Sequence, residues 1–220
     1  SHIYANFLNK PGISLPSIAL VVSGGHTSLF YVKDPGQVKT LGATLDDACG
    51  ESFDKVAKIL GLGYPGGPLI ERLAKKGDPG KIKFNCSATR HPFDFSFSGI
   101  KTAVLYHVRG SPRASSVSRV PYAAACDIAA SFQESVIGAL VKKSLLACKI
   151  KKMPRLIIGG GVAANSRLRE RFFHQAKKEG VSVSFPPLEF CTDNAAMVAG
   201  LGSWLFTNGQ HSGLGLSAAT

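Results

Sequence analysis

Apolar and polar positions fall along the chain in blocks short enough to read one at a time. Ser17 to Val22 is a compact apolar run that ends at Ser23-Gly24-Gly25-His26-Thr27, and Ser28 to Val32 follows with the composition of a second strand. Two such runs joined by a glycine turn predict a hairpin whose tip leaves backbone N–H groups open to an anion. A third strand is expected over Val38 to Ala43. The period then changes: Phe53, Val56, Ala57 and Leu60 share one face of a helix that Gly61 stops. Tyr64-Pro65-Gly66-Gly67-Pro68 reads as a rigid turn into a short helix over Leu69 to Lys76, and Gly77 to Pro92 as irregular chain. Phe93 to Gly99 leads into a helix reaching about Val108. Arg109 to Val120, rich in Ser, Arg and Pro, is expected to be a mobile basic loop. Ile128, Phe132, Val136 and Leu140, at four-residue steps, mark a long helix from about Tyr122 to Cys148.

Next comes a short apolar run at Leu156 to Ile158, then Gly159-Gly160-Gly161, then a helical pattern that closes at Gly180. Strand, glycines and helix in that order aim a helix N-terminus at whatever sits over the glycines, and a phosphate is the natural occupant. A glycine turn of this kind serves close packing equally well, so the stretch alone leaves both readings open. Val181 to Phe185 is a strand, Pro186-Pro187 breaks it, and Thr192-Asp193-Asn194 caps a last helix through about Phe206. The class is therefore α/β with a mixed sheet, and no internal repeat is visible.

Composition narrows the picture. A chain of 220 residues with 45% hydrophobic content and mean hydropathy of +0.11 is globular and long enough for a sizeable core. No apolar run approaches membrane-spanning length, and the N-terminus lacks a signal-peptide pattern. Ser1-His2-Ile3-Tyr4-Ala5-Asn6-Phe7 carries neither a cap nor an initiating Met and reads as the middle of a helix, the expected opening of a C-terminal piece of a longer protein. The net charge of +12 favours a polyanionic partner, with nucleic acid first, although an ordinary basic surface carries the same charge. Cys49, Cys86, Cys126, Cys148 and Cys191 are scattered without a CxxC pair, which points to a reducing, cytoplasmic compartment.

Neither GxGxxG nor GxxxxGK[ST] occurs, so dinucleotide and P-loop folds are not indicated. Six other segments occur in order: Val21 to Thr27, Gly50 to Lys58, Tyr64 to Pro68, Phe95 to Val104, Gly159 to Asn165 and Cys191 to Met197. Together they resemble the bacterial form of the tRNA N6-adenosine threonylcarbamoyltransferase family, once described as O-sialoglycoprotein endopeptidases. The resemblance implies an actin-like ATPase (ribonuclease H-like) fold. Residues 1–220 would be its C-terminal lobe, with a mostly helical insertion around 45–150 and an N-terminal lobe not included. It also implies transfer of threonylcarbamoyl from threonylcarbamoyl-adenylate to N6 of adenosine 37 in tRNAs reading codons that begin with A.

Mapped onto this chain, the resemblance places Val21, Val22, Ser23, Gly24 and Gly25 along the phosphate and acyl side of the ligand. Asp54 would accept ribose hydroxyls, Gly67 would touch the sugar, and Asn165 would bind the adenosine end. His2 and Asp193 match two ligands of a divalent metal, iron or zinc, with Fe(2+) favoured; the family's first histidine would stand four residues before His2. No residue is assigned as acid or base. The implied partners are tRNA, an actin-fold dimerisation subunit and a small ATPase subunit, with no membrane. His26 is expected to position the ligand, while His91, His107, His174 and His211 read as surface or packing residues. Lys101 is assigned to packing, and Arg109, Arg113, Arg119, Arg167, Arg169 and Arg171 are candidate phosphate contacts against an equally weighted solvated basic face. Two other readings remain: a non-catalytic actin-fold subunit, and a small-molecule phosphotransferase.

Overall fold

Alternation along the first strand sets the layers of the molecule, seen in a computed structural model that describes residues 1–8, 13–110, 120–213 and 215. In β1 (Ser17–Val22), Ile18, Leu20 and Val22 enter the main core, while Ala19 joins Val32 and Ile157 in a small cluster on the other sheet face. β1 is the centre of a five-stranded sheet of order β3-β2-β1-β4-β5. β2 (Thr27–Asp34) and β3 (Gln37–Ala43) extend it antiparallel; β4 (Arg155–Gly159) and β5 (Ser182–Ser184) extend it parallel. The mixed α/β sheet is as expected. β5 is shorter than Val181 to Phe185, because Phe185 leaves the edge to pack beside Phe172 (ring centroids 6.2 Å apart).

Between β3 and β4 run α1 (Cys49–Ile59), α2 (Gly66–Ala74), α3 (Ser98–Arg109) and α4 (Tyr122–Ile150). α2 begins at Gly66, three residues before the expected Leu69. The Gly66 N–H donates to Asp54 Oδ1 at 2.7 Å, and Pro68 lies in the first turn, where a missing N–H costs a helix nothing. α3 is capped from a distance: Asp46 accepts Phe97 N–H (2.8 Å), Ser98 N–H (3.2 Å) and the Ser96 hydroxyl (2.5 Å). Beside it, Asp47 bridges Lys55 (2.6 Å) and Lys101 (3.1 Å). Burial pushes the Asp47 carboxyl up, and the hydrogen bonds from Lys55 and Lys101 outweigh that and hold it below the usual range. Lys101 is thus a packing residue, as expected, and Phe95 and Phe97 are buried next to it.

α4 corrects one expectation. Its 29 residues include an 18-residue window of hydropathy 1.3, enough by length and composition to cross a membrane, yet 67% of that window is buried inside the fold. It is the core helix, with Phe132, Val136 and Leu140 fully enclosed. α5 (Ser166–Lys178) follows β4 through a short 3-10 turn at Gly161–Ala164, and α6 (Ala195–Thr207) is capped by the Asn194 side chain accepting Met197 N–H at 2.9 Å. The opening segment is not the middle of a regular α-helix. One α-type bond, Ala5 N–H to Ser1 O (3.1 Å), gives way to 3-10 closure at Tyr4–Asn6, where i to i+3 bonds tighten the turn.

Candidate active site

β1 and β4 run parallel, and their carboxyl ends open into a cleft of about 850 Å3. In open sheets with parallel strands this is where ligands sit. One side is the β1–β2 hairpin tip, one is the start of α2, and one is the loop between β4 and α5; His2 and Asp193 stand at the rim.

The hairpin tip keeps donors free. Ser23 N–H donates to His26 O (2.8 Å), and His26 N–H donates to Ser23 Oγ (3.1 Å), so these two close the turn on themselves. Gly24 and Gly25 N–H have no acceptor among the described residues, and a Cβ on either would meet nothing within 4 Å. Gly50 N–H anchors the tip to α1 through Ser23 O at 3.0 Å. Val21 and Val22 need correction: they pair with Ser28, Thr27 and Gly159 inside the sheet and do not line the cleft. Their backbone groups belong to strand ladders, which leaves Gly24 and Gly25 as the open donors.

The Gly159 to Gly161 loop behaves differently. Gly160 has φ +99, and a Cβ there would collide with the Val22 carbonyl; one on Gly159 would collide with the His2 carbonyl. These glycines let three segments touch. Nor does the helix behind them await a ligand anion. Glu71 Oε1 accepts both the Ser166 N–H (3.0 Å) and the Ser166 hydroxyl, so a carboxylate of the chain itself sits at the α5 N-terminus. Asn165 is 8% exposed, and its Oδ1 caps α5 through Leu168 N–H (2.9 Å) while its Nδ2 donates to Gln133 (2.8 Å). Its amide therefore builds the cleft wall and is not aimed at a ligand. Glu71 and Gln133 carry no sequence motif, and only their long-range partners reveal them.

Asp54 lines the cleft with one carboxylate oxygen on Gly66 N–H and the other without a protein partner among the described residues. Gly67 faces the same space, with nothing within 4 Å of a Cβ placed on it, so packing does not require a glycine there. Across the opening, His2 Nε2 lies 3.2 Å from Asp193 Oδ1. That is about the separation of neighbouring donors around an ion with bonds of roughly 2.0–2.2 Å. Burial lowers the His2 pKa against the pull of the Asp193 charge, and the nearby His26 lowers it further, which favours the neutral imidazole a metal needs. The pair fits a divalent ion as two of its ligands. No third His, Cys, Asp or Glu joins them among the described residues.

A profile of tRNA N6-adenosine threonylcarbamoyltransferase (TsaD) matches residues 1–200. The chain belongs to the tRNA N6-adenosine threonylcarbamoyltransferase family. A relative of that name from Symbiobacterium thermophilum is 46% identical over 217 residues, which cover 99% of this chain and 62% of the relative. One from Synechocystis sp. is 48% identical over 221 residues (98% and 62%), and one from Kosmotoga olearia 48% over 198 (90% and 57%). The chain therefore spans about three fifths of the length of these relatives. Among solved structures, full-length HypF in a phosphate- and nucleotide-bound form matches with a TM-score of 0.68 at 11% identity, covering 96% of this chain and 36% of that one. HypF of T. kodakarensis matches at 0.53 and 17% identity (79% and 21%). Both show the shared fold, and with the family it is of the actin-like ATPase type.

For a family that acts on tRNA, the arginines of α5 were the obvious phosphate contacts, and the structure gives them other work. Arg167 pairs with Glu134 (3.0 Å) and Glu170 (2.9 Å), and Arg171 with Glu134 (3.1 Å). Arg169 donates to the carbonyls of Ala163 (2.7 Å) and Pro186 (2.8 Å) and stacks its guanidinium over Phe185 at 4.8 Å. Arg113 and Arg119 lie outside the described residues. Of the lesser histidines, His107 packs its ring edge-on to Phe84 and His91 to Phe93, at 5.8 and 5.4 Å.

Proposed function

We propose that this chain forms the adenylate- and metal-holding part of an enzyme that transfers threonylcarbamoyl from threonylcarbamoyl-adenylate to N6 of adenosine 37 in tRNAs reading codons that begin with A. One observation carries the reading: free Gly24 and Gly25 donors, a half-free Asp54, an uncrowded Gly67 and the His2–Asp193 pair all face one cleft. Gly24 and Gly25 N–H hold the phosphate of the mixed anhydride. The free oxygen of Asp54 accepts a ribose hydroxyl, and Gly67 leaves room for the sugar. The adenine N6 then bonds to the carbamoyl carbon, the bond from that carbon to the phosphate oxygen breaks, AMP leaves and the amine gives up a proton. Positioning supplies most of the rate, with backbone donors steadying charge that builds on the phosphate.

His2 and Asp193 hold the divalent ion with ligands from outside this chain. When bound, the ion supplies positive charge beside the anhydride; iron is the choice the family resemblance favours, over zinc. The partners of this reading are tRNA, an actin-fold dimerisation subunit and a small ATPase subunit, working in the cytoplasm. The transferase name of the relatives gives no support to the non-catalytic or phosphotransferase readings. Asp193→Ala in the full-length protein should abolish formation of N6-threonylcarbamoyladenosine in tRNA, measured by mass spectrometry of nucleosides, while circular dichroism stays unchanged. Wild-type rates with no bound metal would remove the metal from the mechanism.

A further inference from the structure

Beside the cleft, two buried polar atoms have no partner among the described residues: Nδ1 of His2 and Oδ1 of Asn6. Native proteins rarely leave such atoms unpaired, and each one calls for an explanation. The two residues are four apart. Ala5 N–H closes on Ser1 O at 3.1 Å, and Ile3 and Phe7 keep right-handed helical dihedrals, so His2 and Asn6 share one face of the turn. Both also reach the same end of β4. The His2 carbonyl abuts Gly159, and the Asn6 amide donates to Ile158 O at 3.0 Å. That bond fixes which end of the fully buried Asn6 amide is nitrogen and leaves Oδ1 as an acceptor in want of a donor.

We propose that Asn6 is a positioning residue for His2: its Oδ1 accepts the Nδ1–H of the neutral imidazole, directly or through one buried water, and leaves the lone pair on Nε2. The consequence lies 3.2 Å away, at Asp193 Oδ1. With the proton on Nε2, imidazole and carboxylate satisfy each other as a hydrogen bond. With the proton on Nδ1, two acceptors face one another, and only a cation between them settles the arrangement. Asn6 thereby turns an ordinary His–Asp contact into a cation clamp. Partners of this kind that orient a ligating histidine are worth about 10–100-fold in metal affinity. The tautomer half of the inference stands on hydrogen-bond accounting alone, and the affinity half rests on the metal reading above.

Multiple-bond 15N–1H spectra of the histidine-labelled chain, above the ordinary histidine pKa and without metal, test it. The His2 signal is identified by its loss in His2→Gln. The proton should be on Nδ1, and in Asn6→Ala it should move to Nε2. Zn(2+) titrated into the two proteins against a competing chelator should bind the Asn6→Ala chain about 10–100-fold more weakly. An Nε2–H tautomer in the unaltered chain overturns the proposal, with no variant required. The expected tautomers, together with no Zn(2+) binding to either protein, would support the role of Asn6 and count against the metal.

Discussion

Two glycine-rich turns face one cleft and do opposite things. At the hairpin tip, Gly24 and Gly25 are glycines because a ligand needs the room: their N–H groups are unpaired and a Cβ would touch nothing. At the β4–α5 loop, Gly159 and Gly160 are glycines because the protein needs the room, with the carbonyls of His2 and Val22 against them. The helix behind the second turn, which looks in sequence like a phosphate seat, is already neutralised by Glu71. A strand–glycine–helix pattern therefore identifies a close approach of backbones, and only the neighbours tell whether the approaching group is a ligand or the chain itself.

The contrast breaks most sharply at Gly160. Gly160→Ala forces a side chain to φ +99 and into the Val22 carbonyl, and should cost at least about 3 kcal/mol of unfolding free energy in urea titrations. A loss under 1 kcal/mol would mean that the loop is not packed as described. Removal of the internal anion comes next. Glu71→Ala should lose about 1–3 kcal/mol and expose the α5 N-terminus, so that inorganic phosphate raises its melting temperature more than that of the unaltered chain. Equal phosphate responses would show that Glu71 does not occupy an anion site. The smallest effect on stability belongs to Gly25→Ala, within about 0.5 kcal/mol because the position is open. The same change should weaken AMP binding by the full-length protein, and calorimetry showing undiminished affinity would take the hairpin out of the ligand site.

Periodicity made most of the fold legible, because β1, β2 and α4 bury regular stripes of side chains and tertiary contacts only reinforce local preference. The reading slipped where a distant residue sets the local structure. Asp54 starts α2 early by accepting Gly66 N–H, and Asp46 caps α3 from some 50 positions away. In the cleft, motif and geometry agree for Gly24, Gly25, Asp54 and Gly67, and they bring His2 to Asp193. They part at Val21 and Val22, whose polar backbone serves the sheet, and at Asn165, whose amide serves α5 and Gln133. A motif records which residues recur together; it does not separate those that touch a ligand from those that support the ones that do. The apparent basic face of α5 failed for a related reason, since Glu134 lies 33 positions from Arg167 and nothing local announces the pair.

Arg169 has a mechanical consequence. Asp193 is almost wholly exposed, with 94% of its side chain open to solvent, and such a carboxylate would ordinarily sample many positions. Two residues before it, Cys191 is gripped by Arg169, whose other bonds run to the Ala163 and Pro186 carbonyls. The guanidinium acts as a stay between a helix, a turn and the strap leading to Asp193, so the strap moves as part of the α5 body. The aim of that carboxylate is inherited from a side chain 24 positions away that never meets a ligand, and loosening Arg169 would blur the site without removing a single group from it.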